Sequence, residues 1–279
     1  TNELWVQGPD GTLTEVFGHG AEDPYGRGRA VVFFDLDGDP FPDLYVANSI
    51  HERPDGKPNG NGVYRNQGDL TFTPDDGALT ADHGANCAPA AGDWNGDGLD
   101  DLVICPEDPG LPILWENDGA GGFTDATALL GEYTPGGRLR DAELADLDGD
   151  GLLDLVWVTP TVVEVHLNRG GDPAGRFSGQ DARLKTDGSP YAVAVADLNA
   201  DGVPDLYVAR GGDDCEATKA PPNGRDFVVL GPDFETEVDA PYVRWGCARM
   251  AAAVGPEAVL VINGLGNHDG PFTVVRPTG

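Results

Sequence analysis

One nine-residue pattern recurs four times in this chain, and no other feature of the sequence restricts the fold as much. The copies are Asp35-Leu-Asp-Gly-Asp-Pro-Phe-Pro-Asp43, Asp93-Trp-Asn-Gly-Asp-Gly-Leu-Asp-Asp101, Asp146-Leu-Asp-Gly-Asp-Gly-Leu-Leu-Asp154 and Asp197-Leu-Asn-Ala-Asp-Gly-Val-Pro-Asp205. Each has Asp or Asn at positions 1, 3, 5 and 9. Alternate residues of a tight loop can turn their oxygens inward, and residue 7 can add its carbonyl. That donor set suits calcium, which takes roughly six to eight oxygen ligands. The expected sets are Asp35, Asp37, Asp39, Phe41 and Asp43; Asp93, Asn95, Asp97, Leu99 and Asp101; Asp146, Asp148, Asp150, Leu152 and Asp154; and Asp197, Asn199, Asp201, Val203 and Asp205. A single copy would read equally well as a solvated acidic turn. Four copies in register read as four Ca2+ sites.

The loop chemistry is that of an EF-hand, but the flanks are not. An EF-hand needs a helix on each side and a bidentate Glu at position 12. Here position 12 is Val46, Ile104, Trp157 or Val208. Short runs of small, β-branched and aromatic residues lie on both sides of each loop, such as Ala30-Val-Val-Phe-Phe34 before and Asp43-Leu-Tyr-Val46 after. These are strands, so the unit is a hairpin whose turn is pinned by metal.

The loops start 58, 53 and 51 residues apart, a period that points to a repeat architecture. A third strand follows each hairpin (62–66, 113–117, 163–168 and 227–230), and a fourth follows in most copies. Four antiparallel strands per repeat fit a β-propeller blade. A fifth repeat, with strands at 247–254 and 257–263, carries no ligand carboxylates in register. The stretch from Glu3 to Phe17 reads as the third and fourth strands of a blade whose first two are missing. The expectation is a single all-β domain over 1–279: a five-bladed propeller of four-stranded blades. Its repeats lie near 27–80, 85–130, 138–182 and 189–238, and a degenerate fifth blade (244–279 plus 1–20) is shared between the two ends to close the ring. The alternative is an incomplete part of a larger propeller.

The run Asp-x-Asp-x-Asp-Gly-x-x-Asp-Leu followed by Asn-x-Gly and Phe-Thr, as in Asn66-Gln-Gly68 and Phe72-Thr73, resembles the FG-GAP/VCBS repeats of integrin-α-type calcium-binding propellers. The resemblance is clearest over residues 28 to 210. It implies structural calcium and a role in adhesion or partner binding, without fixing the ligand.

Charge narrows the partners. Lys and Arg number 17 against 48 Asp and Glu, a formal charge of −31. Nucleic acid and anionic membranes select the opposite sign, so neither is expected, and no apolar run is long enough to span a bilayer. Calcium at millimolar levels is an extracellular condition, so the expected location is extracellular, periplasmic or on a cell surface, and the expected state a monomer. The chain begins at Thr1, which reads as a processed or trimmed product. Four cysteines fit that setting. Cys87 and Cys105 flank the second calcium loop almost symmetrically, while Cys215 and Cys247 end one hairpin and begin the next repeat. The pairings Cys87–Cys105 and Cys215–Cys247 are expected, with free buried thiols as the alternative.

Basic residues gather where the chain enters the first strands of its repeats, at the end opposite the calcium loops: Arg27, Arg29, Arg138, Arg140 and Arg244, with Tyr191 and Trp245 at related positions. One reading is a cationic mouth that grips an anionic group through guanidinium forks. The other pairs these arginines with nearby acids such as Glu22, Asp23, Asp141 and Glu143. Two long polar segments, Ser49 to Gly62 and Gly211 to Gly224, belong to the same end. The Trp residues at 94 and 245 are expected outside the core, and those at 5, 115 and 157 within it. The five His show neither HxH nor HxxxH spacing, and no nucleophile elbow, P-loop or dinucleotide fingerprint is present. The expected function is a calcium-binding module for a protein or glycan ligand. The alternative from another class is an enzyme that holds an anionic or carbohydrate substrate at the Arg-rich mouth, with an additional metal. A third is a structural module of a larger surface protein.

Overall fold

The computed structural model describes residues 2–49, 54, 56, 60–75, 77, 79, 89–106, 112–131, 138–171, 176–177, 181–185, 190–210, 226–239, 248–253, 259–263 and 272–275. The backbone is strand throughout these residues, apart from turns and one 3-10 turn at Thr127–Leu130, and no α-helix occurs among them. Two compact units divide the chain at Ala126.

The first unit opens with a hairpin, β1 (Leu4–Gln7) and β2 (Leu13–Val16). A four-stranded antiparallel blade follows: β3 (Gly28–Phe34), β4 (Asp43–Asn48), β5 (Gly62–Asn66) and β6 (Phe72–Pro74), in that spatial order. The second blade repeats the order with β7 (Ala90–Gly92), β8 (Asp101–Ile104), β9 (Ile113–Asn117) and β10 (Phe123–Asp125). The second strands are the most deeply placed. β4 and β8 are buried at every residue, as expected of strands covered on both faces. Phe34, Leu36, Tyr45 and Val63 of the first blade pack with Leu102 and Ile104 of the second. On the other face of the first blade, Leu44, Val46, Tyr64 and Phe72 meet Leu4 of the opening hairpin and Ala21 of the segment after it. Each large side chain buried this way contributes about 1.5–3 kcal/mol.

The second unit holds two further blades: β11 (Asp141–Ala145), β12 (Asp154–Val158), β13 (Val162–His166) and β14 (Ala182–Lys185), then β15 (Pro190–Ala196), β16 (Asp205–Arg210), β17 (Phe227–Leu230) and β18 (Thr236–Asp239). Val156, Val158, Val163 and Val165 of one blade interlock with Val193, Leu206, Val208 and Phe227 of the next. A three-stranded sheet closes the sequence: β19 (Ala248–Ala253), β20 (Val259–Asn263) and β21 (Phe272–Val275).

The all-β, propeller-type arrangement therefore has four complete blades, not five. The expected shared blade is absent among the described residues: β1 pairs only with β2, and β21 only with β20. The tryptophan assignments also need correction. Trp94, at loop position 2, is fully buried (0 % exposed), while Trp5 on β1 is 49 % exposed. Position 2 turns into the blade, as Leu36 (1 %) and Leu147 (0 %) do at the same place in their loops. On β1 strand alternation sends Leu4 and Val6 inward and Trp5 outward.

Candidate functional site

All four loops follow the same plan, and hydrogen bonds explain how it forms. The position-1 carboxylate accepts the backbone N–H of the Gly at position 4, from Gly38 (2.8 Å), Gly96 (2.6 Å) and Gly149 (2.7 Å). Its second oxygen accepts the N–H at position 6, from Gly98, Gly151 and Gly202. In the third loop both positions have positive φ, +81° at Gly149 and +88° at Gly151, which Gly adopts without strain; Ala200 takes +62° at position 4 of the fourth loop, and Pro40 stands at position 6 of the first. The position-5 carboxylate accepts the N–H of residue 7, from Phe41, Leu99, Leu152 and Val203. These are Asx turns, and they leave the residue-7 carbonyls available as donors to a cation.

Position 9 has a different role. Asp43 is 1 % exposed and Asp101, Asp154 and Asp205 are 0 % exposed. Asp101 accepts the Asn117 N–H (2.9 Å), and the other three are gripped by backbone N–H groups from both sides. For Asp154 the donors are Leu147, at loop position 2 (2.8 Å), and Asn168, after the third strand (2.7 Å). Asp43 is held the same way by Leu36 and Asn66, and Asp205 by Leu198 and Gly231. Burial raises all four carboxyls against these bonds, Asp101 to about 7 and Asp154 to about 6. A nearby cation would favour the ionised forms.

The sequence shows the Asn at the end of the third strand only as part of the repeat signature, without its role. Its side-chain NH2 donates to the carbonyl at position 8: Asn66 to Pro42, Asn117 to Asp100 and Asn168 to Leu153. Its Oδ1 caps the next turn, accepting from Gly68, Gly119 and Gly170. The Asn-x-Gly signature is thus the lock that ties the third strand to the loop. In the fourth blade Gly231 stands at this register, where a Cβ would collide with the Pro204 carbonyl.

The donor chemistry fits calcium. Asp35, Asp37 and Asp43 bring carboxylate oxygens within 4.8 Å of one another, and so do Asp146, Asp148 and Asp154. These are positions 1, 3 and 9 in both loops. In the second and fourth loops position 3 is an amide, and its NH2 instead binds the position-5 carboxylate: Asn95 to Asp97 and Asn199 to Asp201. Asp39 and Asp150 stand at the loop tips beside those clusters.

At the opposite ends of the first strands, Arg27 and Arg29 are exposed in the first unit. In the second unit Arg138 is exposed, and the Arg140 guanidinium lies over the Tyr191 ring at 5.2 Å while Nη1 donates to the Pro190 carbonyl (2.9 Å). Three of the acids named as arginine partners accept backbone N–H groups. Glu22 accepts the N–H of His19 and Gly20, Asp23 that of Tyr25, and Asp141 that of Val193. Arg244, Trp245, Cys87, Cys215 and Cys247 lie outside the described residues, as do 211–225 and most of 50–59. Cys105 is disulfide-bonded, with its partner outside the described residues. No helix among the described residues is long and apolar enough to cross a membrane.

The structure is similar to that of a lectin from Agrocybe aegerita, described for its specific recognition of non-reducing terminal N-acetylglucosamine. The two share 20 % identity over 88 % of this chain and 65 % of the lectin, with a TM-score of 0.52. The chain thus spans just under two thirds of the lectin's length. It is also similar to an aldose sugar dehydrogenase from Streptomyces coelicolor in its PQQ-bound form, at 14 % identity over 98 % of this chain and 90 % of that one, with a TM-score of 0.50. At such identities the likeness is one of fold alone. A search of curated protein sequences finds no match. A family model described as FG-GAP-like repeat matches three times, at residues 35–104, 93–157 and 146–208, each match running from one acidic loop through the strand after the next. These matches take in more than half of the sequence, and the chain belongs to the FG-GAP-like repeat family.

Proposed function

We propose that this protein is a calcium-dependent binding module. Four Ca2+ ions pin the hairpins at one end of the blades, and the loops at the other end recognise a protein or glycan ligand. The observation that carries the calcium half is the shared convergence of Asp35, Asp37 and Asp43 and of Asp146, Asp148 and Asp154. The loops would hold the ion through their carboxylates and residue-7 carbonyls. The ion would supply the positive charge that lets several carboxylates stay ionised side by side. The binding half rests on family membership and on the arginine-bearing strand entries. Net charge −31 supports a partner that is neither nucleic acid nor anionic membrane. A need for millimolar calcium would fit a monomer in an extracellular, periplasmic or cell-surface setting.

The test joins a melting curve, with calcium and with chelator, to metal stoichiometry on the same sample. About four calcium ions per chain and a large loss of melting temperature on chelation are expected. Indifference to chelator would reduce the loops to acidic turns. Binding is read on immobilised glycans and proteins, where Arg138→Ala with Arg140→Ala should lower retention without changing calcium content.

A second reading has its own observation. Burial raises Glu143 to about 7 and lifts Asp141, which faces Glu143, well above the usual carboxylate range. A carboxylic acid poised near neutrality suits general acid catalysis. Glycoside turnover abolished by Glu143→Gln, with ligand binding retained, would favour an enzyme.

A further inference from the structure

The four loops differ in one place that their own sequences do not show: the third-strand residue that faces loop position 3. Strand register makes the equivalence firm. Leu44, Leu102, Leu155 and Leu206, each directly after position 9, pair with Tyr64, Trp115, His166 and Val229. The next residue along the third strand is Arg65, Glu116, Leu167 or Leu230. In the first blade Arg65 Nη1 contacts Asp37 Oδ2 at 2.6 Å, while its Nε holds Asp75 at 2.6 Å. The guanidinium is seated against Gly121 of the second blade, where a Cβ would collide with Nη2. In the second blade Glu116 accepts from Asn95 Nδ2 at 3.1 Å. The third and fourth blades have leucine there, with no charge to offer.

We propose that this third-strand position sets the calcium affinity of each loop, Glu116 strengthening the second site and Arg65 weakening the first. The inference rests on the calcium reading above. At positions 1, 3, 5 and 9 the first and third loops each carry four aspartates, the second and fourth three. Glu116 returns to the second site the carboxylate that Asn95 leaves out. Arg65 cancels one charge at the first site through Asp37 Oδ2, leaving Asp37 Oδ1, buried and without a hydrogen-bond partner, to a cation. The third site, with four carboxylates and a neutral neighbour, is the strongest. The second follows, and the first and fourth are the weakest. Calcium affinity rises with ligand charge, and a guanidinium held at hydrogen-bond distance offsets the charge of its carboxylate.

The test titrates calcium ions alone into chelator-stripped full-length protein by calorimetry, for wild type, Arg65→Leu and Glu116→Leu. Leucine already stands at this register in two sister blades, so the substitution suits the strand. Arg65→Leu should tighten one weak site about five- to tenfold, and Glu116→Leu should weaken one strong site by a similar factor, the size of a partly buried charge contact. Melting curves in chelator should show Arg65→Leu less stable than wild type, because Asp37 and Asp75 lose their counter-charge. If either leucine variant fails to fold, Arg65→Gln and Glu116→Gln answer the same question. An isotherm unchanged by both substitutions overturns the inference while leaving calcium binding intact. A wild-type chain that takes up no calcium removes the calcium reading itself, and this inference with it.

Discussion

The first and third acidic loops share positions 1, 3, 5 and 9 to the residue, yet they stand in different electrostatic settings. Both gather three carboxylates within 4.8 Å. In the third loop Gly151, at φ +88°, donates to Asp146, and no ion pair to Asp148 occurs among the described residues. In the first loop Pro40 replaces that Gly and has no N–H to give, while Arg65 neutralises Asp37. The third loop is well held by its backbone and carries uncompensated charge. The first loop has one bond fewer and a counter-ion of its own. Identical ligand spacing therefore does not make equivalent sites, because the loop backbone and the facing strand each contribute.

Asp154→Ala should produce the largest effect. It leaves the Leu147 and Asn168 N–H groups buried without an acceptor, at about 1–3 kcal/mol each. Denaturant unfolding should show a loss of about 3–4 kcal/mol in chelator and a larger one with calcium, where the ligand is lost as well. A loss seen only with calcium would mean that Asp154 acts solely as a ligand. Gly151→Pro comes next. It deletes the bond to Asp146 and imposes negative φ on a residue at +88°, at about 3 kcal/mol. Pro40→Gly, the reverse change, should be close to neutral. Comparable losses in both variants would erase the distinction between the two loops. Asp148→Ala should lower stability only in the presence of calcium. The loss should be about 2.7 kcal/mol if calcium stands 100-fold above the dissociation constant, and melting with and without chelator reads it directly.

The sequence was legible where the chemistry is local. Carboxylates two residues apart in a tight loop announce their convergence, and small and β-branched flanks announce strands. Positions 35, 37 and 43 could be grouped without knowing where any other strand lies. Contacts that depend on strand register were not legible. Asp37 and Arg65 are 28 residues apart and Asn95 and Glu116 are 21 apart, so their meeting depends on how β4 pairs with β5 and β8 with β9. The keystone role of position 9 was hidden for the same reason, since one of its donors comes from beyond the third strand. Trp94 was misplaced because its loop setting suggested exposure, whereas position 2 of the loop turns into the blade. The fifth blade depended on pairing between the two ends of the chain, for which no local pattern exists.

A final contrast, smaller in effect, lies between two inner strands of the second unit. At the register five and three residues before the acidic loop, β15 has Ala192 and Ala194, and both are buried. At the same places β11 has Asp141 and Glu143. Asp141 accepts the Val193 N–H of β15 at 2.8 Å, so the acid stitches two blades together. Burial is the first cause of the raised pKa of both groups, and their mutual repulsion adds to it at Asp141. A carboxyl raised above its unfolded value binds its proton more tightly when folded. Its contribution is therefore fully present below about pH 4 and is lost as pH rises through its folded value, about 7 for Glu143. Asp141→Asn with Glu143→Gln keeps the shape and removes both titrations. At fixed calcium the variant should match wild type near pH 4 and become progressively more stable than it toward pH 8, as read by melting temperature. The opposite trend would mean that a cation faces the pair and holds it ionised. The two acids would then act as a charged clamp between the blades, and the alanines of β15 would mark the strand that has no need of one.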